Sequence, residues 1–140
     1  MELLPEGTEF RLIYRGSIHS MKASSFHKNC DNQGPTFTII LSKEKGKVFG
    51  GYTDISITST YQYKQGKGNS FLFRMSGQNN FRKLKCINSQ KEVFHYSDRM
   101  LCFGGGHDLY ISNDCSSNTK SYSDLGDSYE APDGFKYQSG

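Results

Sequence analysis

The stretch Phe103-Gly104-Gly105-Gly106-His107-Asp108 poses the sharpest chemical question in this sequence. Consecutive glycines cradle phosphate when they open onto a helix, whose first turn offers free N–H groups and the positive end of the helix dipole. Here the glycines lead into Asp108-Leu109-Tyr110-Ile111, a strand pattern, and the first charge after them is acidic. No Gly-Lys-Ser/Thr follows, so the phosphate-loop reading lacks its lysine and its hydroxyl. Gly104, Gly105 and Gly106 therefore read as a tight turn between two strands. Residues without Cβ permit a positive φ or a close approach of two chains there.

The thiols and imidazoles give the next candidates. The four cysteines are Cys30, Cys86, Cys102 and Cys115, widely and irregularly spaced. His27-x-x-Cys30 and Cys102 with His107 are the nearest metal-type pairs, but a structural zinc site needs four closely grouped ligands. The simpler expectation is a buried Cys30 with a solvent-facing His27. Cys102 could serve as a nucleophile with His95 or His107 as base only if its pKa were lowered. It sits within Leu101-Cys102-Phe103, where burial would raise it instead. Cys115, beside Asp114 in a polar stretch, is expected to be exposed, with an acidic neighbour that disfavours the thiolate. Asp124, Asp127, Glu130 and Asp133 form an acidic C-terminal tract. It reads as solubilising charge, with a surface for a basic partner or a loose cation as the alternative. No catalytic, cofactor or metal site is expected, and no small-molecule substrate.

Composition sets the frame that must position these residues. The 140 residues suffice for one domain, with 14% aromatic residues to fill a core and a net charge of +3. Charges of both signs are interspersed, so nucleic acid is not indicated. The start, MELLPEGTEF, has no basic segment followed by an apolar run, and no apolar run reaches the roughly 20 residues that span a bilayer. Reduced thiols in a cytosolic or nuclear protein are the corresponding expectation, with the cytoplasm as the location.

The pattern of elements is β-rich. Phe10 to Arg15 reads as a strand and His19 to Cys30 as a short helix with Ala23, Phe26 and Cys30 on one face. Strands are expected at Thr36–Leu41, Lys47–Thr53, Ser70–Met75, Leu84–Ile87, Val93–Tyr96, Leu101–Phe103 and Asp108–Ile111. Phe81-Arg82-Lys83-Leu84-Lys85 suits an amphipathic strand or a basic patch. Beyond Asn113 no periodicity remains. Short strands at close spacing favour an antiparallel sandwich, so the fold class is β-rich α+β, two antiparallel sheets with short flanking helices.

Several blocks, in order, carry a family resemblance: Leu12 to Gly16-Ser17, then Phe26 to Cys30-Asp31, then Asn32-Gln33-Gly34-Pro35-Thr36-Phe37. Val48-Phe49-Gly50-Gly51-Tyr52-Thr53 and Ser70-Phe71-Leu72-Phe73 follow. Phe103-Gly104-Gly105-Gly106-His107-Asp108, with Ser121-Tyr122 and Tyr129 after it, completes the series. Together they resemble the TLDc domain family of eukaryotic oxidation-resistance proteins. Gly16, Phe26, Cys30, Gly34, Pro35, Phe49, Gly50, Gly51, Tyr52, Phe103, Gly104, Gly105, Gly106, Asp108 and Tyr129 match its motifs as structural positions. The resemblance implies a sandwich fold, a non-enzymatic protein-interaction role and protection against oxidative stress. For some members it implies binding to the vacuolar proton-pumping ATPase and association with an organelle or large assembly. A structural scaffold role or a redox-reactive thiol are the alternatives. Two departures stand out. The family's tryptophan after the Gly-Gly-Tyr strand is missing, with Ile57 in that region, which implies a repacked core. The family pattern also continues with one more strand past Gly140.

Overall fold

The computed structural model describes residues 3–76 and 80–132, together with the backbone of 138–139. Thr36–Leu41 forms β1, and Val48–Thr53 returns as β2 in antiparallel register, Thr36 opposite Thr53 and Leu41 opposite Val48. The turn between them closes through Ser42 N–H to Lys47 O at 2.8 Å, with Gly46 at φ +60°. The later strands are β3 (Gln62–Lys64), β4 (Phe71–Met75), β5 (Phe81–Lys85), β6 (Val93–His95) and β7 (Leu101–Phe103). They are followed by β8 (Leu109–Ile111), β9 (Tyr122–Ser123) and β10 (Gln138–Ser139). One sheet has the order β1-β2-β4-β5, the other β10-β9-β8-β7-β6-β3, and their strand pairs are antiparallel. The fold is the β-rich sandwich that the strand pattern implies.

Two short helices flank the sheets, α1 (Gly16–His19) and α2 (Ala23–Cys30). Ala23, Phe26 and Cys30 lie on the buried face of α2, as their spacing requires. They join Leu72 and Leu84 of one sheet and Val93, Leu101, Phe103, Leu109 and Ile111 of the other in a single core. Ile57 belongs to this core and is 3% exposed, so an aliphatic side chain in the tryptophan region is indeed packed inside.

Three expectations are corrected. Phe10 to Arg15 is not a strand: the segment has no ladder partner among the described residues, and Leu12 is 72% exposed. It is held by side chains instead, with Ile13 and Tyr14 packed against the core and the Tyr14 hydroxyl donating to Ser20 O at 2.5 Å. The helix expected from His19 to Cys30 is broken, because Ser20 adopts φ +90° and the chain re-enters helix only at Ala23. The stretch after Asn113 does contain strand: β9 pairs with β8 through Tyr110 opposite Tyr122, and β10 pairs with β9. Asp133, Tyr137 and Gly140 lie outside the described residues.

Candidate functional site

The glycine turn connects β7 to β8, and the amides of Gly104 and Gly105 already have partners inside the protein. Gly104 N–H donates to Glu92 O at 2.9 Å, and Gly105 N–H to the Ser128 hydroxyl at 2.8 Å. The anion in this region is Asp108 itself. It is completely buried, and Oδ2 accepts from the backbone N–H groups of Gly126, Asp127, Ser128 and Tyr129 at 3.0–3.2 Å. The loop 126–129 is therefore a nest that closes on a carboxylate of the same chain. Burial pushes the Asp108 carboxyl above its ordinary value, while the Tyr129, Ser128 and Gly126 amides pull it back. Gly104 has φ +91°, and a Cβ there would fall on the Asp108 carboxylate. Gly105 and Gly106 do not need a positive φ; a Cβ on either would meet the side chain of Asp127.

Close approach of the two sheets occurs at the other glycine pair. A Cβ on Gly51 would lie 2.8 Å from the Phe103 ring, and a Cβ on Gly50 would strike the Thr38 carbonyl of β1. Phe103 packs edge-on against Tyr129, with centroids 5.9 Å apart. The fully buried Tyr129 hydroxyl donates to Glu92 O at 2.7 Å. Gly51, Phe103, Gly104, Asp108 and Tyr129 thus converge, and Phe26, Cys30 and Phe49 line the same core. Gly16, Gly34, Pro35 and Tyr52 do not join them. Gly34 is a left-handed turn residue at φ +76°, exposed Pro35 follows it, and Tyr52 stacks on Phe71 outside the four-stranded sheet. Gly16 opens α1 against Met21.

Glu92 was not visible as a structural residue in the sequence. It is wholly buried, and its carboxylate accepts from Gly68 N–H at 3.0 Å and Ser70 N–H at 3.2 Å. It pins the loop before β4 as Asp108 pins the loop after β9.

The thiols and histidines settle as follows. Burial pushes the Cys30 and Cys102 thiols up to about 12, and it raises Cys86 and Cys115 as well. Cys115 is half-buried against the core rather than exposed, because the chain around it folds back onto the segment that leads into α2: Asp114 N–H donates to Met21 O at 2.9 Å. His27 is buried rather than solvent-facing. Its Nδ1 pairs with Asp31 Oδ1 and its Nε2 with Arg99 O, both at 2.7 Å. Among the described residues, no three His, Cys, Asp or Glu side chains group as metal ligands.

The outer face of the six-stranded sheet carries a cross-strand row of rings. Tyr122 lies opposite Tyr110, Tyr110 opposite Cys102, and Phe94 opposite Tyr63; the Val93–Phe103 pairing places Phe94 beside Cys102. Tyr96 packs along this row, 4.1 Å from the Phe94 centroid and 6.4 Å from that of Tyr110. The Arg99 guanidinium lies 4.3 Å over the Tyr96 ring, and the Lys91 ammonium 5.2 Å over Tyr63. Tyr61 and Tyr63 are 55% and 38% exposed at the rim. His107 sits between Tyr96 and Tyr122, hydrogen-bonded to both. No strand here exceeds three residues, too short for its alternation to be read without the register.

A family model described as "TLDc domain" matches residues 2–139. Over 89 residues, 61% of the chain, the sequence is 26% identical to "Oxidation resistance protein 1" of Yarrowia lipolytica (strain CLIB 122 / E 150). Over 61 residues, 44% of the chain, it is 34% identical to "Interferon-induced protein 44" of Homo sapiens. The matched stretches span 39% and 12% of those two proteins.

Proposed function

This chain belongs to the TLDc domain family, and from that premise we propose that it is a non-enzymatic protein-binding module acting in oxidative-stress protection, with the aromatic face of the six-stranded sheet as its contact surface. The observation that carries the reading is the ring row with Arg99 and Lys91 laid on it. Tyrosine and arginine dominate the energetics of protein interfaces because each presents a large, stiff contact area with a polar tip. The Asp108 carboxylate holds the loop after β9 by internal hydrogen bonds. No helix among the described residues is long and apolar enough to cross a membrane. We place the module in the cytoplasm, docked on an organelle-associated assembly. The resemblance names the vacuolar proton-pumping ATPase as the first partner to test.

The experiment is direct binding of the chain to that purified ATPase. Arg99→Glu and Tyr63→Ala alter the ring face, and Lys83→Glu serves as control on the other sheet, where Lys83 covers Phe71. Loss of an Arg or Tyr hot-spot contact weakens an interface by about thirtyfold. Binding unaffected by the ring-face changes, or lost only with Lys83→Glu, overturns the assigned surface. Absence of binding by the unaltered chain overturns the partner.

A further inference from the structure

His107 is bonded through both ring nitrogens to phenols: Nδ1 to the Tyr122 hydroxyl at 2.6 Å and Nε2 to the Tyr96 hydroxyl at 3.0 Å. Its backbone is left-handed, φ +59°, a conformation that a non-glycine residue keeps only where its surroundings over-determine it. Burial first and then the Arg99 charge hold its pKa below the ordinary value, so the ring is neutral at pH 7. A neutral imidazole carries one N–H and one lone pair. It can donate to one of these phenols and accept from the other; in the tautomer that carries its proton on Nε2, Tyr122 donates to Nδ1 across the shorter contact and Tyr96 accepts from Nε2.

Three other tyrosines donate their hydroxyl to groups that cannot take a proton. Tyr14, Tyr63 and Tyr129 donate to the carbonyls of Ser20, Gly105 and Glu92. A phenol gives up an electron readily only when its proton leaves in the same step. Tyr122 alone of these four has a base in place to receive it.

We propose that Tyr96, His107 and Tyr122 form a one-electron oxidation site for small radical oxidants of the nitrogen dioxide and carbonate radical class. The Tyr122 phenol loses one electron to the oxidant, which is reduced to nitrite or carbonate. The phenolic O–H bond breaks, and its proton forms a bond to His107 Nδ1. The resulting imidazolium keeps Nε2–H on the Tyr96 oxygen, and Tyr122 is left as a neutral phenoxyl radical. An ascorbate-class donor returns the electron, releasing its own proton to water, and His107 gives its proton back to Tyr122. The rings of Tyr110 and Tyr122, 5.2 Å apart, shield the radical on the sheet side.

The site operates without a bound partner, so it is tested on the isolated chain, and its failure leaves the binding assignment untouched. Photogenerated tris(bipyridine)ruthenium(III) is the oxidant, followed by transient phenoxyl absorbance and freeze-quench electron paramagnetic resonance. Oxidation should be slower in deuterated water. His107→Gly keeps the left-handed backbone and should slow oxidation by about tenfold or more, with added imidazole restoring it. Tyr122→Phe retains the ring and should abolish the persistent radical, whereas Tyr61→Phe should not. Should His107→Gly fail to fold, the two phenylalanine variants carry the decision. Unchanged rates in His107→Gly overturn the proposal. So does a radical that disappears with Tyr61→Phe, the more exposed phenol, and survives Tyr122→Phe.

Discussion

Replacing Gly104 by alanine should unfold the turn's internal logic, while the same change at Gly105 should be mild. At Gly104 the backbone has φ +91°, which costs an L-residue about 1–2 kcal/mol. The new Cβ would also lie 2.7 Å from Asp108 Cγ and 3.0 Å from Asp108 Cβ, so rotation of the carboxylate alone cannot relieve it. Asp108 must leave its nest. The Ser128 and Tyr129 amides then lose their acceptor where both residues are 0% exposed and water cannot replace it. A buried unsatisfied donor costs about 1–3 kcal/mol, so two of them with the backbone strain give about 4 kcal/mol. For a chain of this length that lowers the melting temperature by roughly 12–20 °C. At Gly105 the Cβ meets Lys91 Cδ at 2.7 Å and Asp127 Oδ2 at 2.8 Å, atoms of exposed side chains that can swing away. The cost there should stay below about 1 kcal/mol. Urea and thermal unfolding of the two variants make the comparison. With Asp108→Ala already in place the nest amides have lost their acceptor beforehand and Cγ is gone, so Gly104→Ala should add little beyond the cost of its positive φ, about 1–2 kcal/mol. Equal losses at Gly104 and Gly105, or full additivity with Asp108→Ala, would refute the reasoning.

Two further outcomes follow from the buried titratable groups. His95 is 4% exposed, and its Nδ1 accepts from Thr58 N–H at 3.2 Å and pairs with the Thr58 hydroxyl at 2.7 Å. Burial, then the charge of Lys64, lower its pKa from 6.5 to about 4. The folded pKa is depressed, so this stabilising difference is complete above pH 6.5 and lost as pH falls through about 4, up to roughly 3 kcal/mol. Between those limits, stability measured by urea titration should fall more steeply for the wild type than for His95→Gln; parallel curves would contradict the assignment. The thiols of Cys30 and Cys102, pushed up to about 12, should resist iodoacetamide at neutral pH and react only as the chain unfolds. Mass spectrometry showing either one alkylated in the native state at pH 7 as fast as free cysteine would reverse that reading.

What the sequence discloses depends on how far each residue's partner lies along the chain. The buried face of α2 is legible because Ala23, Phe26 and Cys30 recur at helical spacing within eight residues. The hairpin of β1 and β2 is legible because its turn residues lie between two β-branched and aromatic runs. Phe10 to Arg15 carries aromatic and branched residues as β1 does but finds no ladder partner among the described residues, and composition cannot report a missing neighbour. His27 looks like a surface residue until Arg99, 72 positions away, brings its carbonyl to Nε2. Glu92 looks like surface charge until the amides of Gly68 and Ser70 fold onto it. Buried carboxylates of this kind carry no sequence signature, since their partners are backbone groups that every residue possesses.

The two glycine clusters show the same limit from the other side. Both run without Cβ, and both suggest either a turn or a close approach. The structure divides the roles: Gly104 supplies the positive φ, while Gly50 and Gly51 supply the close approach, to Thr38 within one sheet and to Phe103 across the sandwich. That division fixes the geometry of the outer face as well. Phe103 can point inward against Gly51 only if its neighbour Cys102 points outward, because side chains alternate along a strand. Cys102 then lies in the row between Phe94 and Tyr110, and the turn beginning at Gly104 carries His107 back to the level of Tyr96 and Tyr122. A glycine in the middle of one sheet thereby helps set which residues the opposite sheet presents to its surroundings. Enlarging Gly51 should accordingly disturb the Tyr96–His107–Tyr122 contacts although none of those residues touches it.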